Sequence, residues 1–144
     1  MEFKYPAKIQ DDGCGGFLVV FRDIPFAATE GKTIKEALTQ AVDCLEEAIA
    51  SCIDDGELIP KPSKPQKNEY QIMLPAQTAA KTALYIAVKK TGISNSELAR
   101  RINVDEKEVR RMLNPRHPTK LPRIEKALAS LGHHLSVTLL ENAA

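Results

Sequence analysis

The stretch "NSELARRINVDEKEVRRMLNP", Asn95 to Pro115, carries five basic side chains, Arg100, Arg101, Lys107, Arg110 and Arg111, on two short helical patterns. Leu98, Ala99 and Ile102 recur at helical spacing, as do Val109, Met112 and Leu113, and Val104 fills the corner between them. Two inward stripes joined across so short a gap predict helices over Asn95 to Ile102 and Asp105 to Leu113, packed across a tight turn. Glu106, Lys107, Arg110 and Asn114 then share the exposed face of the second helix, with Arg111 beside them.

Those residue types suit duplex DNA. Arginine and lysine donate to guanine acceptors and to phosphates, glutamate accepts from the cytosine amino group, and asparagine contacts adenine or phosphate. Ser94, Asn95 and Ser96 open the preceding helix, where free amides and small hydroxyls suit a backbone phosphate. Arg116, His117, Thr119 and Lys120 follow in the next loop and add backbone attraction. Charge opposite an apolar stripe is also what any solvated helix shows, so these residues alone do not separate a reading helix from an inert one.

Around this stretch the pattern predicts further helices over Thr78 to Lys90 and Leu121 to Leu131, with breaks at "TGIS" and "NPRHPTK". "HLSVTLL" then alternates Leu135, Val137 and Leu139 with Ser136 and Thr138, as a short closing strand would. "YQIML", with Tyr70, Ile72 and Leu74 on one face, is either that strand's partner or a further strand of a sheet formed by the first half. Before it, "LIPKPSKPQKNEY" holds Pro60, Pro62 and Pro65, which exclude helix and favour a semi-rigid extended linker.

In the first half, Phe3, Tyr5, Ala7 and Ile9 alternate with polar neighbours as in a half-buried strand, and Pro6, lacking a ladder donor, points to an edge position. The turn "DDGCGG" leads to a more buried "FLVVF", giving an antiparallel hairpin that "DIP" ends. Thr33 and Glu36 have capping-box spacing at the start of a helix. Its apolar face runs through Ile34, Ala37, Leu38, Ala41, Val42, Leu45, Ala48, Ile49, Cys52 and Ile53, until "DDG" stops it. The fold class expected is α+β: a β-β-(β)-α-β unit that needs at least one more strand, followed by an all-α unit with a short carboxy-terminal strand.

The 144 residues carry a net charge of only +1, yet the halves differ. Met1 to Gln66 has 7 Lys and Arg against 12 Asp and Glu, a net of −5, while Ala76 to Ala144 has 12 against 6, a net of +6. A basic unit suits a phosphate backbone and an acidic one suits a basic protein. No apolar run reaches membrane-spanning length and the start lacks the order of a secretory signal, so a cytoplasmic location is expected. Cys14, Cys44 and Cys52 form no CxxC pair, and His117, His133 and His134 have no metal-spaced companions, so neither metal nor cofactor is expected.

From Tyr5 to Ser63 the motifs "YPAKI", "GGFLVVFRDIPFAATEGKTIKEALTQAVDCLEEAI" and "DDGELIPKPS" occur in the order that resembles the HicB family of antitoxins. The helices from Thr78 onward, above all "ELARRINVDEKEVRRML", resemble the helix-turn-helix domain of lambda-repressor-like regulators. The resemblance implies a reduced ribonuclease-H-like amino-terminal domain over 1–60 that masks a small HicA-type RNA-cleaving toxin. It further implies a Pro-rich linker with a short strand over 61–75, and a DNA-binding and dimerisation domain over 76–144 that represses the shared operon. Asp23, Phe26 and Glu30 are expected to contribute to toxin binding, and a homodimer or homotetramer is expected on a near-palindromic operator. Catalysis is not expected: the strands lack the carboxylates that a two-magnesium site needs, and Asp43, Glu46 and Glu47 fall on the polar face of the long helix. The alternative is a stand-alone repressor whose first domain senses a ligand or another protein.

Overall fold

The computed structural model describes residues 1–141. Strands β1 (Lys4–Asp11), β2 (Phe17–Phe21) and β3 (Ile24–Gly31) form an antiparallel meander, followed by the long helix α1 (Ile34–Asp54). Strand β4 (Glu69–Met73) returns to pair antiparallel with β1, so the sheet order is β3-β2-β1-β4. "YQIML" is therefore a further strand of the first sheet. Helices α2 (Ala76–Thr91), α3 (Asn95–Ile102), α4 (Glu106–Leu113) and α5 (Leu121–Ser130) complete an α+β architecture.

β1 is internal, which corrects the edge position expected from Pro6. Leu74 donates to the Phe3 carbonyl on the β4 side, so by alternation Pro6 turns its missing N–H toward β2. The β1–β2 register ends at Ala7 opposite Phe21, one residue before a ladder donor would be needed. α1 begins much as its capping-box spacing predicts: the Thr33 hydroxyl accepts from the Glu36 amide at 3.0 Å, and the Glu36 carboxylate accepts at 3.1 Å from the amide of Lys32, one residue before the N-cap. Gly31 allows the tight passage from β3, since a Cβ there would lie 2.7 Å from the Ala37 Cα. Ala37, Ala41, Leu45, Ala48, Ile49 and Cys52 pack against Tyr5, Ala7, Val19, Phe21 and Ile24, whereas Ile34, at the first turn, stays exposed.

A second core joins Ala80, Leu84 and Ala87 of α2 to Leu98, Ile102, Val109, Met112, Ile124 and Leu128. α2 serves both cores, because Tyr85 belongs to the first and donates to the Glu57 carbonyl at 2.6 Å. The closing strand expected over Leu135 to Leu139 is not formed. Residues 134–141 have no ladder partner, and Val137 and Leu139 are 88% and 94% exposed, because an alternating segment without a neighbouring strand has nothing to complete its backbone hydrogen bonds.

The Pro-rich segment is a strap fixed to the sheet. Asp23, its side chain 10% exposed, accepts from both the amide and the hydroxyl of Ser63 at 2.7 Å. Arg22 beside it forks onto Glu69 at 2.9 and 3.0 Å and also donates to the Lys64 carbonyl, while the Tyr5 hydroxyl donates to the Pro60 carbonyl. Arg22 holds the Glu69 carboxyl below the usual carboxylate range. Asp23→Ala is expected to lower the unfolding free energy by about 2 kcal/mol and to expose the chain near Ser63 to limited proteolysis. An unchanged urea midpoint and cleavage pattern would contradict the strap.

Candidate functional site

α3 and α4 meet across Asn103 to Asp105. Asn103 adopts a left-handed conformation, φ 56°, and its amide and that of Val104 return to the last carbonyls of α3. Each helix has its own N-cap: Ser94 Oγ accepts from the Glu97 amide at 3.1 Å, and Asp105 accepts from the Lys107 amide at 3.0 Å. With Val109 and Met112 buried, Lys107, Arg110 and Arg111 are left exposed together on α4.

Glu106 ties this face to α3. It receives Arg110 Nη2 at 2.8 Å and the Ser96 hydroxyl at 3.3 Å, and the adjacent guanidinium holds its carboxyl below the ordinary value. Glu108 braces the other flank, pairing with Arg123 of α5 at 2.6 Å and Arg111 at 3.7 Å. Lys107 and Lys120 are exposed and have no ion pair among the described residues. Asn114 ends α4; its side chain accepts from the Arg116 amide at 3.0 Å and so shapes the following loop. Thr119 is buried, with its amide donating to Gln77.

A residue the sequence reading passed over positions all of this. Lys81, on α2, is fully buried and donates through Nζ to the Arg111 carbonyl at 2.8 Å, the Asn114 carbonyl at 3.0 Å and the Thr119 hydroxyl at 2.7 Å. An ammonium has three protons, and three acceptors surround this one. Two belong to the carboxy-terminal end of α4, where the helix dipole favours a cation and each carbonyl accepts the ammonium beside a backbone amide, that of Asn114 or His117. Its position between Thr78 and Tyr85, on the buried stripe of α2, was the available signal.

Arg116, expected to add attraction for the DNA backbone, lies in the loop after α4 and has partners on the first half. Its guanidinium pairs with Glu47 at 2.6 Å and Asp54 at 2.5 Å, both on α1. Glu46, one residue earlier, accepts from the Thr78 hydroxyl of α2 at 2.6 Å. Of the other expected contact residues, Phe26 (64% exposed) and Glu30 alternate with buried Ala27 and Gly31 and lie with Ala28 on the sheet face away from α1, whereas Asp23 is engaged by Ser63. Among the described residues no three His, Cys, Asp or Glu side chains form a metal-binding group, and no helix is long and apolar enough to cross a membrane.

Burial pulls the Lys81 ammonium down to about 8 from its ordinary 10.5. Between those two pH values the unfolded chain binds more protons than the folded one, so the unfolding free energy contributed by this group rises with pH across that window. Lys81→Met is expected to remove that slope and to cost about 2 kcal/mol near neutrality, through loss of the ammonium's hydrogen bonds to the Arg111 and Asn114 carbonyls and the Thr119 hydroxyl. Urea titrations across the window test both, and identical pH slopes for the two proteins would refute the assignment.

A model of the HicB-like antitoxins of bacterial toxin-antitoxin systems matches residues 4–83. The chain is 36% identical over 137 residues to Antitoxin HicB of Escherichia coli K12, covering 95% of this chain and 99% of that protein. It is 39% identical to Antitoxin HicB 2 of Photorhabdus laumondii, over 95% and 96% of the two chains, and 33% identical to Antitoxin HicB of Pseudomonas fluorescens Pf0-1, over 95% and 94%. With strap, sheet, α1 and the first half of α2 inside the matched region and the relatives aligned almost end to end, this chain belongs to the HicB-like antitoxin family.

Proposed function

We propose that this protein is the antitoxin of a toxin-antitoxin pair: its acidic half masks a small HicA-type RNA-cleaving toxin, and its basic half binds operator DNA and represses the shared operon. The observation that carries the DNA-binding part is the exposed cationic face of α4, Lys107, Arg110 and Arg111, held at a fixed attitude by buried Lys81. On this reading residues 76–144 are a lambda-repressor-like helix-turn-helix unit. α4 enters the major groove, Ser94, Asn95 and Ser96 at the start of α3 meet the backbone, and Lys120 adds a further phosphate contact.

Residues 1–60 are then the toxin-binding unit, and with β4 from the 61–75 segment completing their sheet they take a reduced ribonuclease-H-like fold. Phe26 offers an apolar anchor and Glu30 a charge suited to a basic RNA-binding surface. Asp23 contributes through the strap that it holds. The protein acts by binding and not by catalysis: of the carboxylates a nuclease site would draw on, Asp23, Glu46 and Glu47 are engaged by Ser63, Thr78 and Arg116, and Asp43 is exposed on the polar face of α1.

Recognition of two half-sites needs two copies. The exposed segment Val137 to Leu140 borders a groove of about 830 Å³ lined by Met73, Ile86, Leu121 and Leu128, and supplies the apolar surface for a homodimer or homotetramer. A duplex covering the DNA immediately upstream of the coding sequence tests the reading. Two chains are expected per operator, with Arg110→Ala costing about 1 to 3 kcal/mol and relaxing the preference at one base pair. Lys120→Ala weakens binding to all sequences alike and flattens the salt dependence. Equal, sequence-blind losses for both variants would mean that α4 does not read bases.

A further inference from the structure

The ion pairs of Arg116 join the loop after α4 to the polar face of α1. Glu47 and Asp54 are seven residues apart, so they lie on one side of α1 about two turns from each other, and both reach the same guanidinium. All three groups are at least partly in water: Glu47 is largely exposed, and Asp54 and Arg116 are about half exposed. Exposed pairs of this kind are individually weak and screened by salt, but two carboxylates share this one guanidinium, so together they compete with an outside anion for it. The anion that α4 is proposed to meet is DNA phosphate. Arg116 starts the loop directly beyond that helix, with its backbone fixed there by Asn114 and, through the Asn114 carbonyl, by Lys81.

We propose that Glu47 and Asp54 are an internal competitor of DNA phosphate: they hold Arg116 against α1 and withhold one cationic backbone contact from the operator complex. This rests on the DNA-binding reading given above. The sheet-and-helix half thereby sets how tightly the basic half holds DNA, through charge exchange at one arginine and without movement of either core. Any occupant of the acidic side of α1 that takes up these two carboxylates releases Arg116.

The test is a thermodynamic cycle on the full-length chain, read by fluorescence anisotropy with a labelled duplex of the upstream DNA over a range of salt concentrations. Glu47→Gln with Asp54→Asn is expected to tighten binding several-fold at low salt and to steepen the plot of log affinity against log salt by about 0.9, the value of one added phosphate contact. Adding Arg116→Ala to that double variant is expected to abolish both gains, whereas Arg116→Ala alone leaves the affinity of the parent chain nearly unchanged. Because the carboxylates are exposed, circular dichroism is expected to show all variants folded. If the gain survives Arg116→Ala, it is a general effect of removed negative charge and the proposal is wrong. The same holds if Arg116→Ala weakens the parent chain as much as it weakens the double variant. Insensitivity of every complex to Arg110→Ala overturns the DNA-binding reading and this proposal with it, whereas a normal response to Arg110→Ala without the cycle's coupling overturns this proposal alone.

Discussion

Lys81 donates from the middle of α2 to two carbonyls at the end of α4 and to the Thr119 hydroxyl ahead of α5. A charge with no solvent exposure is tolerated only when its protons are all taken up, and that requirement fixes three elements relative to one another. An apolar residue at this position would pack, but it would remove the one side chain that joins α2 to the end of α4 and to the Thr119 hydroxyl together. The direction in which Lys107, Arg110 and Arg111 face follows from this contact as much as from the apolar stripe beneath them.

α2 also ties the halves together. Its Tyr85 closes the sheet's core and reaches the start of the strap, Thr78 meets Glu46 of α1, and Leu84 fills the second core. The acidic and basic halves are therefore held within a few ångströms of each other along α1, α2 and the loop after α4. Charges at such distances interact inside the Debye length of physiological salt, about 8 Å. The charge division visible in the sequence is on the proposed reading a division of partners, and the ion pairs of Arg116 are the place where the two meet.

The elements governed by local chemistry were legible in the sequence. The capping box at Thr33, the left-handed stop at Gly56 after α1, and the paired stripes of α3 and α4 rest on residues close together in the chain, and these elements lie where their spacing puts them. β3 was harder, since "IPFAATEG" has a proline, small residues and no clean alternation; it is a strand because β2 offers a ladder across the two-residue turn at Arg22 and Asp23. The strap read as a linker because its restraints come from far away: Asp23 lies 40 residues from Ser63, and Arg22 lies 47 from Glu69. For the same reason Arg116 read as a free cation, its partners being 62 and 69 residues earlier. The tail from Leu135 shows the converse, a pattern fit for a strand in a place where one chain offers no partner.

The most direct measurement is co-expression of this chain with the small reading frame beside its gene, scoring growth and co-purification for the parent chain, for Phe26→Ser with Glu30→Lys, and for Arg110→Ala. The account predicts that the parent chain restores growth and co-purifies with the small protein. It predicts also that the amino-terminal double variant loses both, and that Arg110→Ala keeps both while binding the operator more weakly and with relaxed preference. A neighbouring protein that is neither toxic nor bound would contradict the antitoxin reading and leave a repressor whose first half senses something else. Loss of rescue by Arg110→Ala would contradict the assignment of the two partners to separate halves.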